Sequence, residues 1–116
     1  MKEPGLYTVI TGASRGLGKA LAGECARRGR NLVLVSLPGE SLSSCAKEIS
    51  EQYAVRTHAL EADLTLPGEI EKLAAGINER FEVNCLINNA GTGGIGLFWE
   101  APTERIDRMI LLNTRA

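Results

Sequence analysis

Short strand-like runs alternate along this chain with longer stretches in which apolar residues recur at helical spacing. The runs are residues 7–11, 32–37, 55–60 and 83–88. The first is uncharged and β-branched and the second is continuously apolar, so these runs predict strands. Between them, Leu17, Ala20, Leu21 and Cys25 form a helical stripe that ends at Gly29, a C′ glycine. Leu42, Cys45, Ala46, Ile49 and Tyr53 form a second. Thr65 predicts an N-cap, with Pro67 in the first turn and Ile70, Leu73, Ala74, Ile77 and Phe81 as the stripe behind it. A glycine-rich loop over residues 91–96 leads to a last helix capped near Thr103. The pattern is β-α, repeated four times.

Strands that are apolar on both faces, separated by amphipathic helices, imply a parallel sheet covered on both sides. Right-handed crossovers then give an α/β, three-layer, doubly wound fold with strand order 3-2-1-4. In such a sheet ligands bind at the C-terminal strand ends, where the order reverses between the first and fourth strands. Two motifs fall at that place. Thr11-Gly12-Ala13-Ser14-Arg15-Gly16-Leu17-Gly18 follows the first strand, and Asn88-Asn89-Ala90-Gly91 ends the fourth. The first motif is a strand, a glycine turn and a helix start, a device that offers unpaired N–H groups to a phosphate.

Composition narrows the alternatives. A length of 116 residues suits one domain. A net charge of −1 and few aromatics argue against a nucleic-acid surface. No apolar run approaches the roughly 20 residues of a membrane span, and there is no signal-peptide pattern, so a cytoplasmic protein is expected. Cys25, Cys45 and Cys85 form no CxxC pair and read as small buried hydrophobes, with no metal site expected. A P-loop would need glycine at Ala13 and a hydroxyl at Ala20, which argues against a nucleotide triphosphatase.

With Thr11-Gly12-x-x-x-Gly16-x-Gly18, Asp63-Leu64, Asn88-Asn89-Ala90-Gly91 and Asn113 in this order, the chain resembles the short-chain dehydrogenases/reductases. Within that family it is most similar to carbonyl reductases of the ketoacyl-reductase and hydroxysteroid-dehydrogenase type. The resemblance implies a Rossmann half-fold over residues 1–116 that binds a nicotinamide dinucleotide. It implies that Gly12, Gly16 and Gly18 wrap the pyrophosphate, with Ser14, Arg15 and the Leu17 N–H as donors. Asp63 would accept from the adenine amino group, Leu64 would lie against the ring, and Asn88, Ala90 and Gly91 would line the adenosine side. Asp63 also suits a loop cap, Asn88 and Asn89 suit strand-end turns, and Arg15 suits a solvated loop charge.

The second strand ends Val35-Ser36-Leu37-Pro38 with no acid to hold a ribose 2′-OH. The first carboxylate, Glu40, reads as already entering the next helix. NADP is therefore favoured over NAD, with Arg15 and Ser36 reaching its 2′-phosphate corner, although Leu37 stands where a second basic residue is often found.

The family's general acid is the tyrosine of a Tyr-x-x-x-Lys motif, aided by a serine. Here Thr11 follows Tyr7 and Thr57 follows Tyr53 at that spacing, so neither of the two tyrosines makes the motif. Asn113 lies on the stripe with Ile106, Met109 and Ile110 and is the family's proton-relay asparagine by resemblance, or else an exposed amide near a frayed end. The favoured expectation is the cofactor-binding half of a carbonyl or alcohol oxidoreductase, inactive on its own and truncated before its serine, tyrosine and lysine. The other is a naturally short dinucleotide-binding or scaffold module. A small carbonyl or alcohol substrate and a homo-oligomer are expected partners of the intact protein. The fourth strand, left as an apolar edge, is expected to make the isolated chain associate.

Overall fold

A computed structural model describes residues 2–90 of the chain. Within them lie β1 (Leu6–Thr11), α1 (Gly16–Arg27), β2 (Asn31–Ser36), α2 (Leu42–Tyr53), β3 (Thr57–Glu61), α3 (Pro67–Arg80) and β4 (Glu82–Ile87). The strands form one sheet in the order β3-β2-β1-β4, and every pairing is parallel. The expected doubly wound order is therefore observed, with the reversal between β1 and β4. The predicted loop over 91–96, the helix near Thr103, Gly91 and Asn113 lie outside the described residues. Among the described residues no helix is long and apolar enough to cross a membrane.

β2 shows how the sheet is buried. Its side chains alternate, so Leu32 and Leu34 enter one core while Val33 and Val35 enter the other. The first core packs them with Ile10 against Ala22 and Ala26 of α1 and Leu42, Cys45, Ala46 and Ile49 of α2. The second packs Tyr7 and Val9 against Ile77 of α3 and Phe81. In the α2 stripe Leu42, Cys45, Ala46 and Ile49 are buried as the spacing predicts, and Tyr53 is partly buried.

The α1 stripe is not. Its buried face is Gly18, Ala22 and Ala26, while Leu17 is 67% exposed. Small residues let the helix axis come close to the sheet, and that approach outweighs the hydrophobicity of the leucines. On α3, Ala74 is exposed and Ile77 carries the contact. Thr65 does not cap α3; its hydroxyl donates to Asp63 Oδ1 at 2.6 Å. Leu66 precedes the helix without a side-chain cap, and Glu69 reaches back to the Asp63 N–H at 3.0 Å.

β4 contains a register shift. Tyr7 pairs with Val83, but Thr8 pairs with Cys85, so Asn84 is an extra residue. Strand parity flips across it. Val83 packs on the Tyr7 core and Ile87 on the Ile10 core, although a regular strand would put both on one face. Among the described residues β4 pairs with β1 alone, and Leu86 is exposed.

The N-terminal segment is tied to the end of the sheet remote from the glycine turn. Glu3 takes His58 Nε2 at 3.0 Å, Arg80 at 3.5 Å and the Tyr7 hydroxyl at 3.3 Å. The rings of Tyr7, His58 and Phe81 pack in tilted contacts with centroids 4.7–5.9 Å apart. His58 is thus a strand residue in a structural cluster, as expected. Burial pushes the Glu3 carboxyl up, but His58, Arg80 and the Tyr7 hydroxyl outweigh it, and its pKa lies below the usual 4.5. A carboxylate held below its unfolded value stabilises the fold above that value, and the contribution is lost as pH falls through the lowered one. Glu3→Gln is accordingly expected to destabilise the protein in urea more at neutral pH than at acid pH. Equal losses at both pH values would show that its charge is not what holds the segment.

Candidate dinucleotide site

The C-terminal ends of the strands open into a cleft of about 340 Å³. Its wall is made by the β1–α1 turn, the ends of β2 and β3 and the residues after β4. Thr11, the last residue of β1, joins the two motifs. Its Oγ1 accepts the N–H groups of Asn89 at 3.1 Å and Ala90 at 2.9 Å, and its hydroxyl donates to Asn88 Oδ1 at 3.3 Å. Asn89 returns the link by donating Nδ2 to the Gly12 carbonyl at 3.2 Å. On the other side, the Ala13 N–H donates to the Val35 carbonyl at 3.1 Å. The glycine turn is thereby sewn to both neighbouring strand ends.

Two glycines are required by this packing. A Cβ on Gly18 would strike the Gly12 carbonyl oxygen and lie 2.6 Å from Asn89 Nδ2. Gly12 has φ +66, and a Cβ there would lie 2.9 Å from the Ala90 Cα. Gly18 is buried behind the cleft and does not line it. α1 therefore starts hard against the end of β1, with Gly16 and Leu17 of its first turn lining the opening. No side chain caps that helix start, and its first turn carries no acid. Such a terminus suits an anion.

Of the residues expected at the site, Gly12, Ser14, Arg15, Gly16, Leu17, Ser36, Asp63, Leu64 and Ala90 line this one cleft. Asn88 stands beside it, engaged with Thr11. Ser36 is buried and spends its hydroxyl proton on the Leu37 carbonyl at 3.1 Å. Asp63 fills the loop-cap role that the sequence offered as one alternative. It lines the cleft, and its Oδ1 also holds the turn by accepting the Thr65 N–H at 3.0 Å.

Glu40 corrects the sequence reading. It does not enter the helix, since α2 begins at Leu42. It sits in the preceding turn and lines the cleft, with Oε1 accepting the Ser14 hydroxyl at 3.3 Å and lying 3.8 Å from Arg15 Nε. Only through-space proximity brings this acid to the corner that strand-end spacing leaves without one. Thr11 and Asn89 were also missed as site builders. Their place at the strand ends beside the glycine turn was the available signal.

The short chain dehydrogenase family pattern matches residues 7–116. The chain belongs to that family. It is 39% identical to a very-long-chain 3-oxoacyl-CoA reductase of Anas platyrhynchos, over 94% of this chain and 36% of the duck protein. Among solved structures it superposes with TM-score 0.86 and 38% identity on a short-chain dehydrogenase from Sphingobium yanoikuyae in complex with NADPH, covering 94% of this chain and 43% of that one. An alcohol dehydrogenase from Thermococcus sibiricus complexed with 5-hydroxy-NADP superposes with TM-score 0.87 and 32% identity, over 94% and 47% of the two chains. The chain spans about a third of the length of the curated relatives it matches.

The packing generates a stability test. Thr11→Val keeps the side-chain shape but leaves two N–H groups without their acceptor, at an expected cost of about 1–3 kcal/mol. Gly18→Ala forces backbone apart and should cost about 1–3 kcal/mol. Urea unfolding of each variant reads both values. A neutral Gly18→Ala would mean that α1 does not abut the turn as described.

Proposed function

We propose that the intact protein is an NADP-dependent short-chain oxidoreductase that reduces a small carbonyl compound or oxidises the corresponding alcohol. Residues 1–116 serve as its dinucleotide-binding part. The observation that carries this reading is the meeting of the glycine turn and the Asn88–Ala90 stretch at one cleft, sealed by Thr11 and Asn89.

The uncapped first turn of α1, with Gly12, Gly16 and Gly18 removing side chains around it, receives the pyrophosphate. Ser14, Arg15 and the Leu17 N–H are its further donors. Asp63 accepts from the adenine amino group and Leu64 flanks the ring. Asn88, Ala90 and Gly91 line the adenosine and ribose side. A bound nicotinamide supplies or accepts the hydride.

NADP is supported by the exposed Arg15 at the corner beyond β2 and by the NADPH and 5-hydroxy-NADP complexes of the two structural relatives; Ser36 and Leu37 carry no carboxylate, and the acid at that corner is Glu40, already facing Arg15. Asn113 is assigned the family's proton-relay role. The general acid is not among these residues. Tyr7 is buried at the start of β1, remote from the cleft, and Tyr53 ends α2 packed on the first core.

Titration of the intact protein is expected to show tighter binding of NADPH than of NADH. Arg15→Ala should weaken NADPH by about ten- to a hundredfold, the range of a hydrogen bond to a charged group. Equal affinities in the unmutated protein would reject the NADP preference, and failure to bind either would reject the reading. The purified 116-residue chain is expected to oxidise no NADPH with carbonyl compounds. Measurable turnover would place the general acid within these residues.

A further inference from the structure

Ser14, Arg15 and Glu40 form a cluster at the open corner of the cleft, beyond the end of β2. One carboxylate oxygen of Glu40 serves both partners, taking the Ser14 hydroxyl at 3.3 Å and facing Arg15 Nε at 3.8 Å. The burial is lopsided. The Glu40 side chain is 26% exposed on the cleft wall, whereas that of Arg15 is 87% exposed. The acid is therefore the fixed member, and the guanidinium is the one free to turn toward another anion.

We propose that Glu40 is a specificity-determining residue of the cofactor site, competing with a dinucleotide 2′-phosphate for Arg15. This inference rests on the dinucleotide reading above. A phosphate monoester carries about −1.5 to −2 charges at neutral pH. It cannot take Arg15 without displacing the Glu40 carboxylate or sitting beside it, and both oppose binding. A dinucleotide with a free ribose 2′-OH brings no such charge. Glu40 thus acts as a built-in brake on the preference that Arg15 creates. The brake is modest, because an exposed ion pair of this kind corresponds to about two- to fivefold in affinity.

The test is equilibrium binding of NADPH and NADH to the intact protein, to Glu40→Gln, to Arg15→Ala and to the double variant. Glu40→Ala is the second substitution, so that disturbance of the turn by one replacement does not decide the result. The NADPH-to-NADH affinity ratio is expected to rise about two- to fivefold in both Glu40 variants. That rise should vanish when Arg15 is already alanine. A ratio that stays put or falls while both dinucleotides bind overturns this inference alone. The same rise in the Arg15→Ala background overturns it too, since Glu40 would then act without Arg15. Absence of binding by either dinucleotide overturns both this inference and the cofactor reading.

Discussion

The site depends on how closely three backbone segments approach one another. The end of β1, the start of α1 and the residues after β4 meet where Gly12 and Gly18 have no side chains and Thr11 and Asn89 supply the bonds. A single methyl group at Gly18 is enough to block the meeting. Once it is made, the uncapped helix terminus faces the crevice that the reversal of strand order opens. Shape and electrostatics of the cleft follow from one steric condition.

The two ends of the sheet have different tasks. At the remote end, rings and ion pairs of Glu3, Tyr7, His58, Arg80 and Phe81 close the layers and pin the N-terminal segment. At the cleft end, polar groups bond mostly to their own neighbours. Ser36 donates to Leu37, Thr65 to Asp63, and Ser14 to Glu40. A ligand entering this cleft exchanges bonds already made, so net affinity is smaller than the number of contacts suggests. Discrimination between similar ligands then rests on which internal bond each must break. That logic makes the Ser14–Arg15–Glu40 corner more consequential than its exposure implies.

The bulge at Asn84 connects core and site. By adding a residue it lets β4 fill one core with Val83 and the other with Ile87. It also sets the register in which Asn88, Asn89 and Ala90 reach Thr11. A strand without the extra residue would shift its neighbours to the opposite face.

Strand order, the crossover pattern and most of the cleft lining were legible in the chain itself. Periodicities of two and 3.6 residues and the chemistry of glycine turns are local, and the reversal of order follows from handedness. Four features were not legible. The buried face of α1 runs through Gly18, Ala22 and Ala26, because closeness to the sheet mattered more than leucine burial. Thr65 serves Asp63 and not the helix. β4 carries a bulge that its apolar pattern does not reveal. Glu40 joins Arg15 across the gap between two connections that are distant in sequence. Each depends on distances between segments that only the packed layers fix, and residue order carries no measure of those distances.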